Sequence, residues 1–271
     1  MKNKLNKIFQ ALSLLWKQPS LINKILEDEN ANRKLVEQEF PKFKRGLPEI
    51  SFENFLKHKE SIEVTPFAFL DGGSLVTDLA LIKLICQKFS ECSYFEIGTW
   101  RGESVCNAAS ASRECFTLNL SEEEMIGKNW DKEYIKLHGH FSVSNSKINH
   151  LYGNSKTFDF SNYKSKMDVI FVDGDHRLPA IIHDSKIAIE LMKSNQSIII
   201  WHDYKNSPEQ VRWEVLRGIL KGVPEQFHSN LFGVENTLCA VYYPYPVESK
   251  NLSYPSKPVH HFKINLELDK D

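Results

Sequence analysis

The spacing of apolar residues changes period several times along the chain. Near the start, Leu5, Ile8, Phe9, Leu12, Leu15 and Trp16 recur at steps of three and four, which places them on one face of a helix. Residues 1–60 read as helical and polar, with a break at Gly46-Leu-Pro48 and a helix resuming at Ser51-Phe-Glu-Asn-Phe, capped by Ser51. Asp71-Gly-Gly-Ser74 is a turn, and Ser74 is placed to cap a helix over 75–89. Beyond it, short apolar runs alternate with helical stretches. Strands are expected at 94–97, 115–118, 148–152, 168–172 and 197–201, and helices at 104–112, 179–192 and 211–220. The run Val169-Ile-Phe-Val172 has no polar break, which suits a strand covered on both faces.

Strands separated by helical spacers imply βαβ units and a parallel sheet. The rhythm changes at the end: runs at 231–234 and 237–243 flank Glu235-Asn236, as two strands of a hairpin would. The segment 262–268 alternates apolar and polar residues, the pattern of an edge strand. The expected fold is α/β: a doubly wound, mostly parallel sheet with a terminal antiparallel hairpin and an N-terminal helical extension. The divisions expected are a helical extension over 1–70, one ligand-binding domain over 71–244 and a tail over 245–271.

Composition adds limits. Of 271 residues, 41% are hydrophobic and 25% charged, ordinary for a globular chain, and a net charge of −1 gives no field that favours nucleic acid. The five cysteines include no CxxC pair, so reduced thiols are expected rather than a disulfide framework or a cysteine zinc site, which fits a cytoplasmic setting. The first seven residues carry Lys2, Lys4 and Lys7 and no acid. The amphipathic helix over residues 1–20 is therefore open to two readings: packing on its own domain or a twin subunit, or peripheral contact with the inner face of a membrane.

Candidate chemistry gathers at strand ends. Glu96-x-Gly98-x-x-x-Gly102 follows a strand and opens a helix, where free N–H groups and glycine turns suit a nucleotide-like ligand. A dinucleotide fingerprint would need glycine at position 100, which is Trp100, and this counts against a nicotinamide cofactor. Asp173-Gly-Asp-His176 and His202-Asp203 follow the next two core strands. Parallel packing would bring these ends together, and clustered acids need something positive among them, such as a divalent cation.

Phe95-Glu-Ile-Gly-Thr-Trp-Arg-Gly-Glu-Ser104, Gly153-Asn-Ser155, Val169-Ile-Phe-Val-Asp-Gly-Asp-His176 and Ile198-Ile-Ile-Trp-His-Asp-Tyr204 together resemble the class I S-adenosylmethionine-dependent methyltransferases. The likeness runs from about Asp71 to Tyr243 and is greatest to the metal-dependent O-methyltransferases of macrolide sugars. It implies a Rossmann-like seven-stranded sheet. It also implies a cofactor site of Glu96, Gly98, Thr99, Gly102, Ser104, Asn119, Asn154, Ser155 and Asp173, with Asn119 and Asn154 standing where relatives carry acids. It implies a site for Mg²⁺ or Mn²⁺ at Asp173, His202 and Asp203, and His176 as general base. The expected function is methyl transfer to a hydroxyl of a small molecule or glycan. A non-catalytic protein of the same fold, serving as partner or scaffold, is the alternative. Homo-oligomerisation is compatible with either.

Overall fold

The computed structural model describes residues 2–19, 21, 29–56 and 61–268. Parts of the expected 1–70 extension (1, 20, 22–28 and 57–60) and of the expected tail (269–271) lie outside the described residues. The strands are β1 (Glu49–Ile50), β2 (Ser93–Ile97), β3 (Glu114–Asn119), β4 (Ile148–Tyr152), β5 (Val169–Val172), β6 (Ile198–Trp201), β7 (Lys205–Ser207), β8 (Gln210–Val211), β9 (Leu231–Val234), β10 (Ala240–Tyr242) and β11 (Ser249–Lys250). Apart from the small β7–β8 ribbon, they form one nine-stranded sheet in the order β11-β1-β9-β10-β6-β5-β2-β3-β4. The five strands from β6 to β4 are mutually parallel, and β10 runs antiparallel to both β6 and β9. The doubly wound sheet and its antiparallel hairpin are those expected from the sequence. The strand count exceeds the expected seven because β1 and β11 extend the hairpin edge.

Alternate residues of the central strands feed two cores. Tyr94, Phe171, Ile198 and Ile200 face the helices Val76–Cys86 and Glu103–Ala109, where Leu79, Ile82, Ile85 and Val105 meet them. Phe95, Ile97, Ile170, Val172, Ile199 and Trp201 face the helices Leu178–Leu191 and Trp213–Gly222 on the other side. Every residue of β5 and β6 is buried, as its apolar run requires.

The structure differs from expectation in three places. Leu75, not Ser74, caps the helix Val76–Cys86, and the Asp78 carboxylate accepts from the Leu75 N–H at 2.7 Å. Residues 262–268 form no strand. Their apolar side chains stand exposed, the Phe262 ring packs edge-on against Phe52, and the edge is instead Ser249–Lys250. Residues 29–56 are part of the body: Val36, Phe43 and Leu47 enter one core, Ile50, Phe52 and Phe55 the other, and Glu49 and Ile50 pair with Gly233 and Val234.

Candidate functional site

The strand order reverses between β2 and β5, the place where open α/β sheets form a ligand crevice. Backbone hydrogen bonds run one residue past the strand ends: Gly98 N–H to Leu118 O, Gly153 N–H to Asn119 O, Asp173 N–H to Ile97 O and His202 N–H to Val172 O. Gly98, Asn119, Asp173 and His202 are therefore fixed side by side along one rim. Gly98 has φ +102°, and a Cβ there would sit 2.0 Å from the Asp173 carbonyl oxygen, so only glycine allows the β2 and β5 loops to approach. Gly102 (φ +92°) serves another purpose than the one expected. The space a Cβ would need is filled by Ser142, whose Oγ lies 2.3 Å from that position, so the glycine admits a neighbouring loop and not a ligand. Trp100, read as a bar to dinucleotides, turns aside and stacks on Tyr134 at 4.3 Å, with His138 against its edge.

Glu96, Thr99 and Ser104, expected to line the cofactor, form a polar knot beneath the rim. Glu96 is fully buried and accepts from Tyr94 Oη at 2.8 Å and Thr117 Oγ1 at 2.9 Å, and the Ser104 side chain bonds it as well. Burial raises the Glu96 carboxyl to about 7 against those three hydrogen bonds. The Thr99 hydroxyl is buried on that of Thr117. Asn119 closes β3 half-buried, at the position beside Gly98 where the sequence leads one to expect it. The Asn154 side chain folds into its own turn, accepting from Lys156 N–H at 3.1 Å, while the Ser155 carbonyl meets His183 Nε2 at 3.0 Å. His138 and His228 are half-buried, His228 against Phe40 and Phe43.

β5 and β6 are neighbours, so the acid–histidine cluster assembles as expected. Its wiring differs from the expected metal site. His202 is buried, and both ring nitrogens meet carboxylates: Nε2 lies 3.2 Å from Asp78 Oδ2, and Nδ1 lies 3.1 Å from Asp173 Oδ1 and 3.5 Å from Asp203 Oδ1. Burial alone would lower its pKa, but Asp173, Asp203 and Asp78 outweigh burial and hold it well above the usual value. Both ring nitrogens of His202 are thus engaged by carboxylates. For Asp203, burial acts upward, yet His202, His176 and Arg212 outweigh it and hold the carboxyl at about 2. His176 Nδ1 stands 3.1 Å from Asp203 Oδ2, with its side chain 40% exposed. Asp173, His176 and Asp203 each offer one donor atom within 4.8 Å of the others. The geometric cation set therefore contains His176 in place of His202.

Two members of the cluster escaped sequence reasoning. Asp78, wholly buried, joins three elements: it caps its own helix, accepts from Leu238 N–H at 2.8 Å and pairs with His202. Its place at the third position of a helix was the available signal. Arg212, 3.8 Å from Asp203, gave no signal.

No curated protein matches the chain by sequence. Among solved structures it is similar to the Podospora anserina methyltransferase PaMTH1 bound to SAH, at 16% identity over 70% of this chain and 92% of that one, TM-score 0.45. It is also similar to the Streptomyces achromogenes O-methyltransferase TomG, involved in tomaymycin synthesis and in complex with SAM, at 14% identity over 62% and 79%, TM-score 0.43. The chain spans 53% of a Bacillus halodurans protein provisionally assigned as a methyltransferase, with 14% identity over 49% of this chain and TM-score 0.38. The sheet is doubly wound in the Rossmann-like manner, and residues 95–204, which hold Gly98, Asp173, His176, His202 and Asp203, match the family described as a methyltransferase domain.

Proposed function

We propose that this chain is an S-adenosylmethionine-dependent O-methyltransferase acting on a hydroxyl of a small molecule or glycan, with His176 as general base. The observation that carries the reading is the His176–Asp203 pair at 3.1 Å on the rim beside the Gly98 turn. With Nδ1–H donated to an ionised Asp203, the Nε2 lone pair is the one that receives a proton from an acceptor oxygen. Asp203 is itself held by His202 and Arg212, so the imidazole is oriented before a substrate arrives.

S-adenosylmethionine, when bound at the crevice, supplies the methyl group. The residues present suit it in part. The Gly98 turn keeps the crevice floor to bare backbone, and Asn119 offers an amide to ribose hydroxyls, a weaker acceptor than a carboxylate. Asp173, His176 and Asp203 would hold a divalent ion, in which case His176 serves as a ligand and not as a base. The charge argument for such an ion is weakened by His202 and Arg212, which already supply positive charge among the three carboxylates.

The test is calorimetry with S-adenosylmethionine and its demethylated product, followed by transfer of labelled methyl to hydroxylated acceptors with and without EDTA. Binding and EDTA-insensitive transfer that fails in His176→Ala support the reading. Full inhibition by EDTA moves His176 to the role of ligand. Absence of binding to either compound refutes the methyltransferase reading and leaves a partner protein of the same fold.

A further inference from the structure

Among the described residues, the helix Lys2–Lys17 carries an exposed apolar face. Phe9 is 66% and Trp16 88% exposed, and Leu5, Ile8 and Leu12 are each about half exposed or more. Among the described residues, none of this helix joins either core. Among the described residues, nothing of its own domain covers this face, although packing on its own domain is one of the two readings left open by the sequence. At about 100° per residue, Leu5, Ile8, Phe9, Leu12, Leu15 and Trp16 fall within an arc of roughly 120°. Lys4 stands at one edge of that arc. Lys7 and Lys17 lie on the opposite side with Asn6 and Gln10. The helix has no Asp or Glu.

We propose that this helix is a peripheral anchor that lies on an anionic lipid surface. Charge selects the occupant. Two copies of the helix pressed face to face would set lysine against lysine with no carboxylate on either to balance them. An anionic bilayer offers apolar depth for the Leu, Ile, Phe and Trp face and negative headgroups for Lys4 at its margin. Trp16, at the last turn beside Lys17, is the residue type that settles at the boundary between headgroup and chain. The helix lies on the surface and does not cross it: no described helix is long and apolar enough to span a membrane.

The experiment is cosedimentation of the full-length protein with vesicles of phosphatidylcholine alone, and of phosphatidylcholine with phosphatidylglycerol, in low and high salt, with light scattering of the free protein in parallel. The variants are Phe9→Glu/Leu12→Glu and Lys4→Gln/Lys7→Gln. All four side chains are exposed, so circular dichroism and thermal melting should match wild type. Wild type should bind the anionic vesicles and lose most of that binding in high salt. The lysine pair should bind at least about fivefold more weakly, the share of Lys4 at the margin of the arc. The glutamate pair should not bind. Failure of wild type to bind anionic vesicles overturns the proposal. So does equal binding by all three proteins. A wild-type dimer that the glutamate pair converts to monomer, without vesicle binding by either, assigns the face to a second copy of the chain instead.

Discussion

Glu96→Gln separates the charge of the buried carboxyl from its hydrogen bonds. Glu96 sits in β2 with Tyr94, Thr117 and Ser104 around it, and burial raises its carboxyl to about 7 from an ordinary 4.5. The sign follows from proton counts. Between pH 4.5 and 7 the unfolded chain has released this proton and the folded chain keeps it, so stability falls as pH rises through that window. Below pH 4.5 the group contributes nothing, and above 7 the loss is complete. At 1.36 kcal/mol per pKa unit the loss is about 3 kcal/mol. The substituted glutamine side chain has no charge to lose, and its amide can make the contacts of the protonated acid. The stability of Glu96→Gln relative to wild type should therefore rise by about 3 kcal/mol between pH 4.5 and 7.5, roughly 6–10 °C in Tm for a domain of this size. Guanidinium titrations of both proteins at five pH values measure it, and all other titrating groups cancel in the difference. Parallel pH profiles would refute the reasoning, because Glu96 would then carry the same charge folded and unfolded.

Other perturbations probe the rim. His176→Ala should reduce methyl transfer by roughly 10²–10⁴-fold and leave cofactor heat nearly unchanged; undiminished transfer would place the base elsewhere. Gly98→Ala should destabilise by several kcal/mol, since its Cβ meets the Asp173 carbonyl at 2.0 Å and φ is +102°; a folded protein with wild-type Tm would contradict that contact. Asp78→Ala strips the buried His202 ring of one partner and two backbone N–H groups of their acceptor, at a cost of about 3–5 kcal/mol in urea unfolding. Asn119→Asp should tighten cofactor binding by on the order of 1 kcal/mol in calorimetry, through a charge-assisted bond to ribose hydroxyls.

The core strands β5 and β6 were legible because they are apolar on both faces, a pattern that survives any tertiary context. β1 and β11 were not, since two residues carry no period and their pairing depends on partners far along the chain. The acid–histidine cluster was legible as a gathering of groups, because strand ends in a parallel sheet share one rim. Its wiring was not. His202 and His176 look alike in sequence, but the first is buried between carboxylates with both nitrogens engaged, and the second stands at the surface with one engaged. Only the position of Asp78, on a helix from the other side of the sheet, decides this. Gly102 was misread for the same reason: whether a glycine faces a ligand or a loop depends on where Ser142 comes to rest.

The strand Glu49–Ile50, seated between the hairpin and β11, has a consequence for how the protein is made. Its parallel partner is Gly233–Val234, and nearby Glu29 accepts from the Trp213 N–H across 184 positions of chain. On a ribosome adding about 5–20 residues each second, the early segment waits roughly ten to forty seconds for the surface it will join. Through that interval Val36, Leu47, Ile50 and Phe52 have no core to enter. The nascent chain therefore presents an apolar stretch until residues 213–234 emerge, which makes this segment the natural place for a chaperone to hold and a part exposed to aggregation if elongation stalls.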